Sequence, residues 1–170
     1  RQKIMEVKIV ENILPPRVNL DIIKYLANNC YWKVGCEQGY SRIEMLTQKK
    51  VYAGLSFDST YMKEHEWLNA CAYLVSEQIK NSLNINLNVS RFFWNMYYPG
   101  HKTLSHIDDQ SNEAISFIYN LSTTDGGTII NNKFYPDKAG EAKVFKSNIY
   151  HSGVGPKLDP CRFNLNVVFK

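Results

Sequence analysis

No two cysteines in this chain stand at Cys-x-x-Cys spacing, which removes the usual signature of a zinc knuckle or a dithiol redox motif. Cys30, Cys36, Cys71 and Cys161 are scattered, and two of them fall in apolar helical patterns. Free, buried thiols in a reducing compartment are therefore expected, with a cytoplasmic location as the default. Glycine and proline are scarce, at 9 and 6 residues, too few for a collagen-like or disordered chain. No apolar run is long enough to span a bilayer, and Arg1 to Val10 lacks an apolar core of signal-peptide length. A dense basic patch is also missing. The net charge of +4 permits an anionic ligand without demanding nucleic acid. Internal repeats and low-complexity tracts are absent.

What remains is a chain of 170 residues, 44% hydrophobic, with 11 Tyr, 8 Phe and 3 Trp. That suits one domain over residues 1–170 with a sizeable core. Lys3 to Ile13 reads as a strand ended by Pro15-Pro16. Asn19 is a plausible helix cap, followed by Ile22, Ile23, Leu26, Ala27 and Cys30 at helical spacing to about Asn29. Residues 31–60 offer possible strands at Tyr31–Val34 and Lys50–Gly54 around a polar connector. A second helix is expected from about Tyr61 to Leu83, with Trp67, Cys71, Leu74, Val75 and Ile79 on its apolar side.

After Val89 the pattern changes to short β segments: Ser90–Tyr98, Ala114–Leu121, Thr128–Ile130, Lys133–Tyr135, Lys143–Phe145, Ile149–His151 and Arg162–Phe169. Turns at Pro99-Gly100, Asp125-Gly126-Gly127 and Gly153–Pro156 separate them. Many short strands with such turns predict a jelly roll over roughly 89–169, supported by helices over roughly 15–85. The expected class is mainly β with N-terminal helices.

Four side chains in the last third carry chemistry. His106 and Asp108 are two apart, so in a strand they share a face. His151 lies 43 residues beyond Asp108, with β-like sequence between, and Arg162 follows 11 further on. Two imidazoles and one carboxylate can hold one face of an octahedral metal and leave three positions open, as non-haem Fe(II) oxygenases require. Arg162 begins an apolar strand and offers a guanidinium fork for a carboxylate. Strand alternation puts Asn164 and Asn166 on the same face as Arg162, Asn95 beside Tyr97, and Asn120 beside Ile118.

This combination resembles the Fe(II)/2-oxoglutarate-dependent dioxygenase superfamily. The resemblance rests on His106-x-Asp108, His151 and Arg162. It is supported by Asn95-Met96-Tyr97-Tyr98-Pro99-Gly100, Ile118-Tyr119-Asn120-Leu121, Asp125-Gly126-Gly127-Thr128 and Val144-Phe145-Lys146-Ser147-Asn148. It covers roughly residues 90–169 and implies a double-stranded β-helix, or cupin-like jelly roll. It further implies Fe(II) on His106, Asp108 and His151, 2-oxoglutarate as cosubstrate and O2 as oxidant, with ascorbate as a supporting reductant. Arg162 would take the distal carboxylate of the cosubstrate, with Asn164, Tyr97, Asn95 and Asn120 as further contacts. The products would be succinate, CO2 and a substrate hydroxylated at an unactivated C–H bond.

Within the superfamily the prolyl-hydroxylase-like branch is favoured by Tyr98-Pro99-Gly100, the short Asp125-Gly126-Gly127 turn and a distal His followed by Ser-Gly. A peptide or small-molecule substrate of amino-acid type is implied, with no membrane partner. The nucleic-acid dealkylase branch shares Asn95-x-Tyr97 and Arg162-x-Asn164. It carries a further Arg six residues after the first, however, where this chain has Val168. From a different class, a non-catalytic β-sandwich module could use the triad to bind metal for stability. Trp67, Trp94 and Tyr119 are expected in the core, His65 and His101 away from the metal, and Asp109 exposed.

Overall fold

The computed structural model describes residues 7–30, 33–34, 54–57 and 65–170, with backbone alone for 33–34 and 54–57. The elements in chain order are β1 (Lys8–Val10), α1 (Pro16–Asn29), β2 (Lys33–Val34), β3 (Gly54–Phe57), α2 (Glu66–Leu83), β4 (Val89–Tyr97), β5 (Ile115–Asn120), β6 (Gly127–Ile130), β7 (Lys133–Pro136), β8 (Ala142–Lys146), β9 (His151–Val154) and β10 (Arg162–Phe169). Two antiparallel sheets result. The larger has the order β1-β8-β5-β10-β4-β3-β2 and the smaller β7-β6-β9. Residues 102–106 extend the smaller sheet through bridges of Lys102 with Val154 and His106 with His151. From β4 onward the chain passes back and forth between the two sheets, which makes the jelly roll expected from the sequence.

Alternation in the larger sheet decides what each face does. Phe92, Trp94, Phe117, Tyr119, Ala142, Val144, Phe163, Leu165, Val167 and Phe169 join Ile22, Leu26, Leu68, Val75 and Ile79 of the two helices in one buried cluster. Each such aromatic or aliphatic side chain contributes about 1.5–3 kcal/mol by leaving water. The opposite face looks toward the smaller sheet. Its Ile118 and Phe145 pack with Ile130 of the smaller sheet in a small apolar cluster, between two polar groups of residues. The helices thus brace a sheet whose inner face is free for chemistry.

Several local expectations need correction. The first helix starts at Pro16, with Pro15 at the cap and no side-chain cap. Proline is tolerated at that position because its missing N–H has no partner in the first turn anyway. Asn19 is therefore inside the helix, buried, and accepts from Tyr119 Oη at 2.6 Å. Trp67 is 42% exposed rather than core, and its ring leans on Tyr25 at 5.2 Å. The strand expected at Ile149–His151 begins at His151 instead. His106 and Asp108 are not in a continuous strand: His106 forms a single bridge and Asp108 lies in a bend. The expected connector over 36–60 falls largely outside the described residues, as do Cys36, residues 61–64 and the start of the first strand. Cys30, Cys71 and Cys161 are free thiols, and burial pushes Cys30 and Cys71 up to about 11.

Candidate metal centre and its inner polar face

His106, Asp108 and His151 each offer one ligand atom within 4.8 Å of the other two. Backbone pairing brings them together. His106 N donates to His151 O at 2.9 Å, and His151 N donates to His106 O at 2.8 Å. This bridge sets the two imidazoles side by side, with ring centres 4.4 Å apart. Asp108 N donates to Ser147 O at 2.9 Å, which turns the bend inward.

Both rings are fixed in one tautomer. His106 Nδ1 lies 2.9 Å from Leu104 O and His151 Nδ1 lies 3.0 Å from Ile149 O. A carbonyl only accepts, so each Nδ1 carries the proton and each Nε2 presents a lone pair. Among the described residues His151 Nε2 is buried with no hydrogen-bond partner, and it stands 3.5 Å from Asp108 Oδ2. Burial lowers the His151 pKa, with the Asp108 carboxylate pulling the other way.

The carboxylate is held as firmly. Ser116 Oγ donates to Asp108 Oδ2 at 2.7 Å and is 2.8 Å from Ser147 Oγ. Since Ser116 spends its proton on Asp108, Ser147 donates to Ser116. Asn166 Nδ2 adds a longer bond to Oδ2 at 3.4 Å. Arg91 Nη2 donates to the Asp108 carbonyl at 2.7 Å and lies 3.5 Å from Oδ1. Such a shell orients a metal-binding carboxylate before any ion arrives. The buried Asn166 Oδ1 has no partner among the described residues. Val168 is buried, and the guanidinium near Asp108 comes from Arg91, its cross-strand neighbour.

A second polar group lies farther along the same face. Arg162, 1% exposed, donates through Nε and Nη2 to the two oxygens of Asp137, the latter at 3.1 Å. Nη2 also reaches Thr128 Oγ1 at 2.9 Å. With its amide oxygen turned to the guanidinium, Asn164 accepts from Nη2 and Nη1 at 3.1 and 3.3 Å, and its nitrogen is 3.0 Å from the Asn95 amide. The guanidinium sits 4.7 Å above the Tyr97 ring. The same ring meets Gly153, where an added Cβ would come within 2.6 Å; the Ser-Gly after His151 is needed for this approach. Burial raises the Tyr97 pKa, and Arg162 opposes the rise.

Lys143 is fully buried beside this cluster. Its ammonium is 3.6 Å from Asp137 Oδ1 and 3.6 Å from Glu141 Oε1. Turned to suit its neighbours, Asn120 donates to Asp137 Oδ1 at 2.9 Å and accepts from Lys143 at 2.5 Å. Burial lowers the Lys143 pKa, while Asp137 and Glu141 raise it.

Every sequence-derived site residue therefore lies on this inner region: His106, Asp108 and His151 at one end, and Tyr97, Asn95, Asn120, Arg162 and Asn164 at the other. Ser116, Arg91, Thr128, Asp137 and Lys143 were not foreseen. A signal was available for Lys143, since strand alternation sets it opposite Ala142 and Val144, both on the apolar face. Asp109, expected exposed, is half-buried and paired with Lys170 Nζ at 2.5 Å. His65 packs against Tyr25, 3.2 Å from its hydroxyl, and His101 against Tyr98, both outside the triad.

No family model matches the sequence, and no curated protein matches it either. Solved structures do match in fold. The α-ketoglutarate-dependent epimerase SnoN from nogalamycin biosynthesis superposes with a TM-score of 0.70 at 10% identity, over 96% of this chain and 77% of that one. A Pseudomonas putida prolyl-4-hydroxylase gives 0.66 at 16% identity, over 96% and 92%. The viral collagen prolyl hydroxylase of Paramecium bursaria Chlorella virus-1, in its 2OG complex, gives 0.62 at 14% identity, over 97% and 96%. The chain thus has the double-stranded β-helix fold of the Fe(II)/2-oxoglutarate oxygenases, prolyl hydroxylases among them, with a His-x-Asp…His set held inside it.

Proposed function

We propose that this chain is an Fe(II)- and 2-oxoglutarate-dependent oxygenase that hydroxylates an unactivated C–H bond of a prolyl residue or another amino-acid-type substrate. The observation that carries the reading is the pair of imidazoles with Nδ1 pinned to carbonyls and Nε2 turned toward a pre-oriented carboxylate. A buried, unpaired Nε2 costs about 1–3 kcal/mol, and a metal ion removes that cost. His106, Asp108 and His151 would hold Fe(II), the two histidines through Nε2. When bound, the iron supplies the oxygen chemistry: decarboxylation of 2-oxoglutarate provides two electrons, and the two atoms of O2 end in succinate and in the hydroxyl group.

The rest is the work of the chain's own residues. Ser116, Asn166 and Arg91 keep Asp108 from swinging away. Tyr97, Arg162, Asn164, Asn95 and Asn120 form the far wall, where the distal carboxylate of the cosubstrate would be read. The fully buried Ile118 and Phe145 side of the face limits water. Peptide and amino-acid substrates are preferred to nucleic acid because the dealkylase pattern breaks at Val168. Three solved structures with this fold are prolyl hydroxylases by name, while two others are an epimerase and a carbocyclase, so the prolyl substrate is the part that most needs testing.

The experiment supplies Fe(II), 2-oxoglutarate, ascorbate and air to the protein, with proline-containing peptides in one arm and free amino acids in another. Succinate release and the gain of one oxygen atom by the organic substrate are measured together. Peptide-dependent succinate with hydroxyproline in the peptide supports the proposal. Turnover with free amino acids only would move the substrate class. Succinate in no arm, together with failure to bind iron, would remove the oxygenase reading.

A further inference from the structure

Arg162 and Lys143 are two fully buried cations that share one fully buried carboxylate, Asp137, with side-chain exposures of 1%, 0% and 1%. A second anion, Glu141, is 13% exposed and pairs with Lys143. A buried charge needs a buried partner, and among the described residues Arg162 has Asp137 alone as an ion-pair partner, whereas Lys143 has both Asp137 and Glu141. Asp137 also occupies the edge of the Arg162 guanidinium, Nε with Nη2, that offers two parallel N–H groups to a carboxylate. A ligand carboxylate seeking that bidentate grip finds another carboxylate in place.

Resting on the oxygenase reading above, we propose that Asp137 is a stand-in for the distal carboxylate of the cosubstrate and sets its affinity. An incoming 2-oxo dicarboxylate takes the Arg162 edge, and Asp137 moves the short distance onto Lys143 and the Asn120 amide. Thr124 Oγ1, 3.1 Å from Asp137 Oδ2, remains within reach during the shift. The exchange gives Arg162 the ligand carboxylate and leaves Asp137 with Lys143, so no buried charge is stranded. Asp137 tunes the affinity, and Lys143 is the positioning residue that makes the exchange possible. A 2-oxo acid without a distal carboxylate leaves Asp137 where it is.

The test is equilibrium binding of 2-oxoglutarate and of 2-oxobutyrate, which lacks the distal carboxylate, to Fe(II)-loaded protein without oxygen. Asp137→Asn removes the competitor and is expected to bind 2-oxoglutarate about tenfold more tightly, with 2-oxobutyrate unchanged. Lys143→Met strands the displaced carboxylate and is expected to bind 2-oxoglutarate about tenfold more weakly. The double variant is expected to regain wild-type affinity, a rescue that a purely structural lysine would not show. In wild type, the Arg162 Nε–H signal in ¹⁵N-edited spectra shifts on adding 2-oxoglutarate but not 2-oxobutyrate; this needs no variant to fold. The proposal is overturned if Asp137→Asn binds 2-oxoglutarate no more tightly, if both acids gain equally, if the double variant is as weak as Lys143→Met, or if the Arg162 signal ignores 2-oxoglutarate. Binding of 2-oxoglutarate to wild type with any of these results removes the inference alone. No 2-oxoglutarate binding to wild type removes the oxygenase reading and the inference with it.

Discussion

At the His106 end of the inner face, His151 Nε2 and Asn166 Oδ1 are buried without a hydrogen-bond partner among the described residues; at the Arg162 end, the guanidinium, the Lys143 ammonium and the Asp137 carboxylate are all paired. Arg162 and Asn166 lie on one face of β10, so strand alternation alone does not make the difference between the two ends. Buried polar atoms are normally satisfied. The unfinished end is shaped for something the chain does not contain. The finished end stabilises the fold by itself, and any ligand there must replace an existing partner.

Substitutions at the two ends should therefore fail in different ways. The largest effect is expected from Asp108→Ala, which should weaken metal binding by more than about 100-fold while the metal-free protein unfolds within about 1 kcal/mol of wild type. Metal titration and urea unfolding measured side by side check this. A collapse of the metal-free fold would erase the distinction. Arg162→Met should do the reverse. It leaves Asp137 buried with Lys143 alone and should cost about 3–5 kcal/mol of stability with or without metal, read from urea midpoints. An unfolding curve matching wild type would mean the inner cluster is not the brace described above.

Ser116→Ala sharpens the comparison at the metal end. It removes the 2.7 Å bond to Asp108 but no ligand, and should lower metal affinity about 10–100-fold. Unchanged affinity would show that Arg91 and Asn166 suffice to orient the carboxylate. The smallest effect is expected at the exposed Lys138–Glu11 pair. Lys138→Ala should leave the urea midpoint within experimental error, which separates a solvated ion pair from the buried one at Arg162.

Periodicity made much of this architecture readable. Arg162-Phe163-Asn164-Leu165-Asn166-Val167 alternates polar and apolar residues so strictly that its two faces could be assigned without coordinates, and the larger sheet follows that assignment. The helical spacing of Trp67, Cys71, Leu74, Val75 and Ile79 predicted a buried stripe, which Cys71, Val75 and Ile79 form while Trp67 and Leu74 stay exposed. The triad was legible because two imidazoles and a carboxylate in this order are unusual, although the local geometry is a bridge and a bend. Asp137 was not legible. In Tyr135-Pro136-Asp137-Lys138 it looks like an ordinary turn residue, and only the crossing from β7 to β8 carries it beneath Arg162. Trp67 was misassigned because spacing reports which residues share a helix face, not how much of that face the neighbouring elements cover. Ser116 of β5 and Arg91 of β4 reach Asp108 in its bend outside both strands, a relation that tertiary packing settles and sequence distance does not.

The most direct test of the central claim is the Fe(II) content of the protein after anaerobic equilibrium dialysis, for wild type beside Asp108→Ala. One iron per wild-type chain and little in the variant, with both proteins folded by circular dichroism, is the predicted result. Equal iron in the two, or none in wild type, would contradict the account, because the triad would then not be the metal centre.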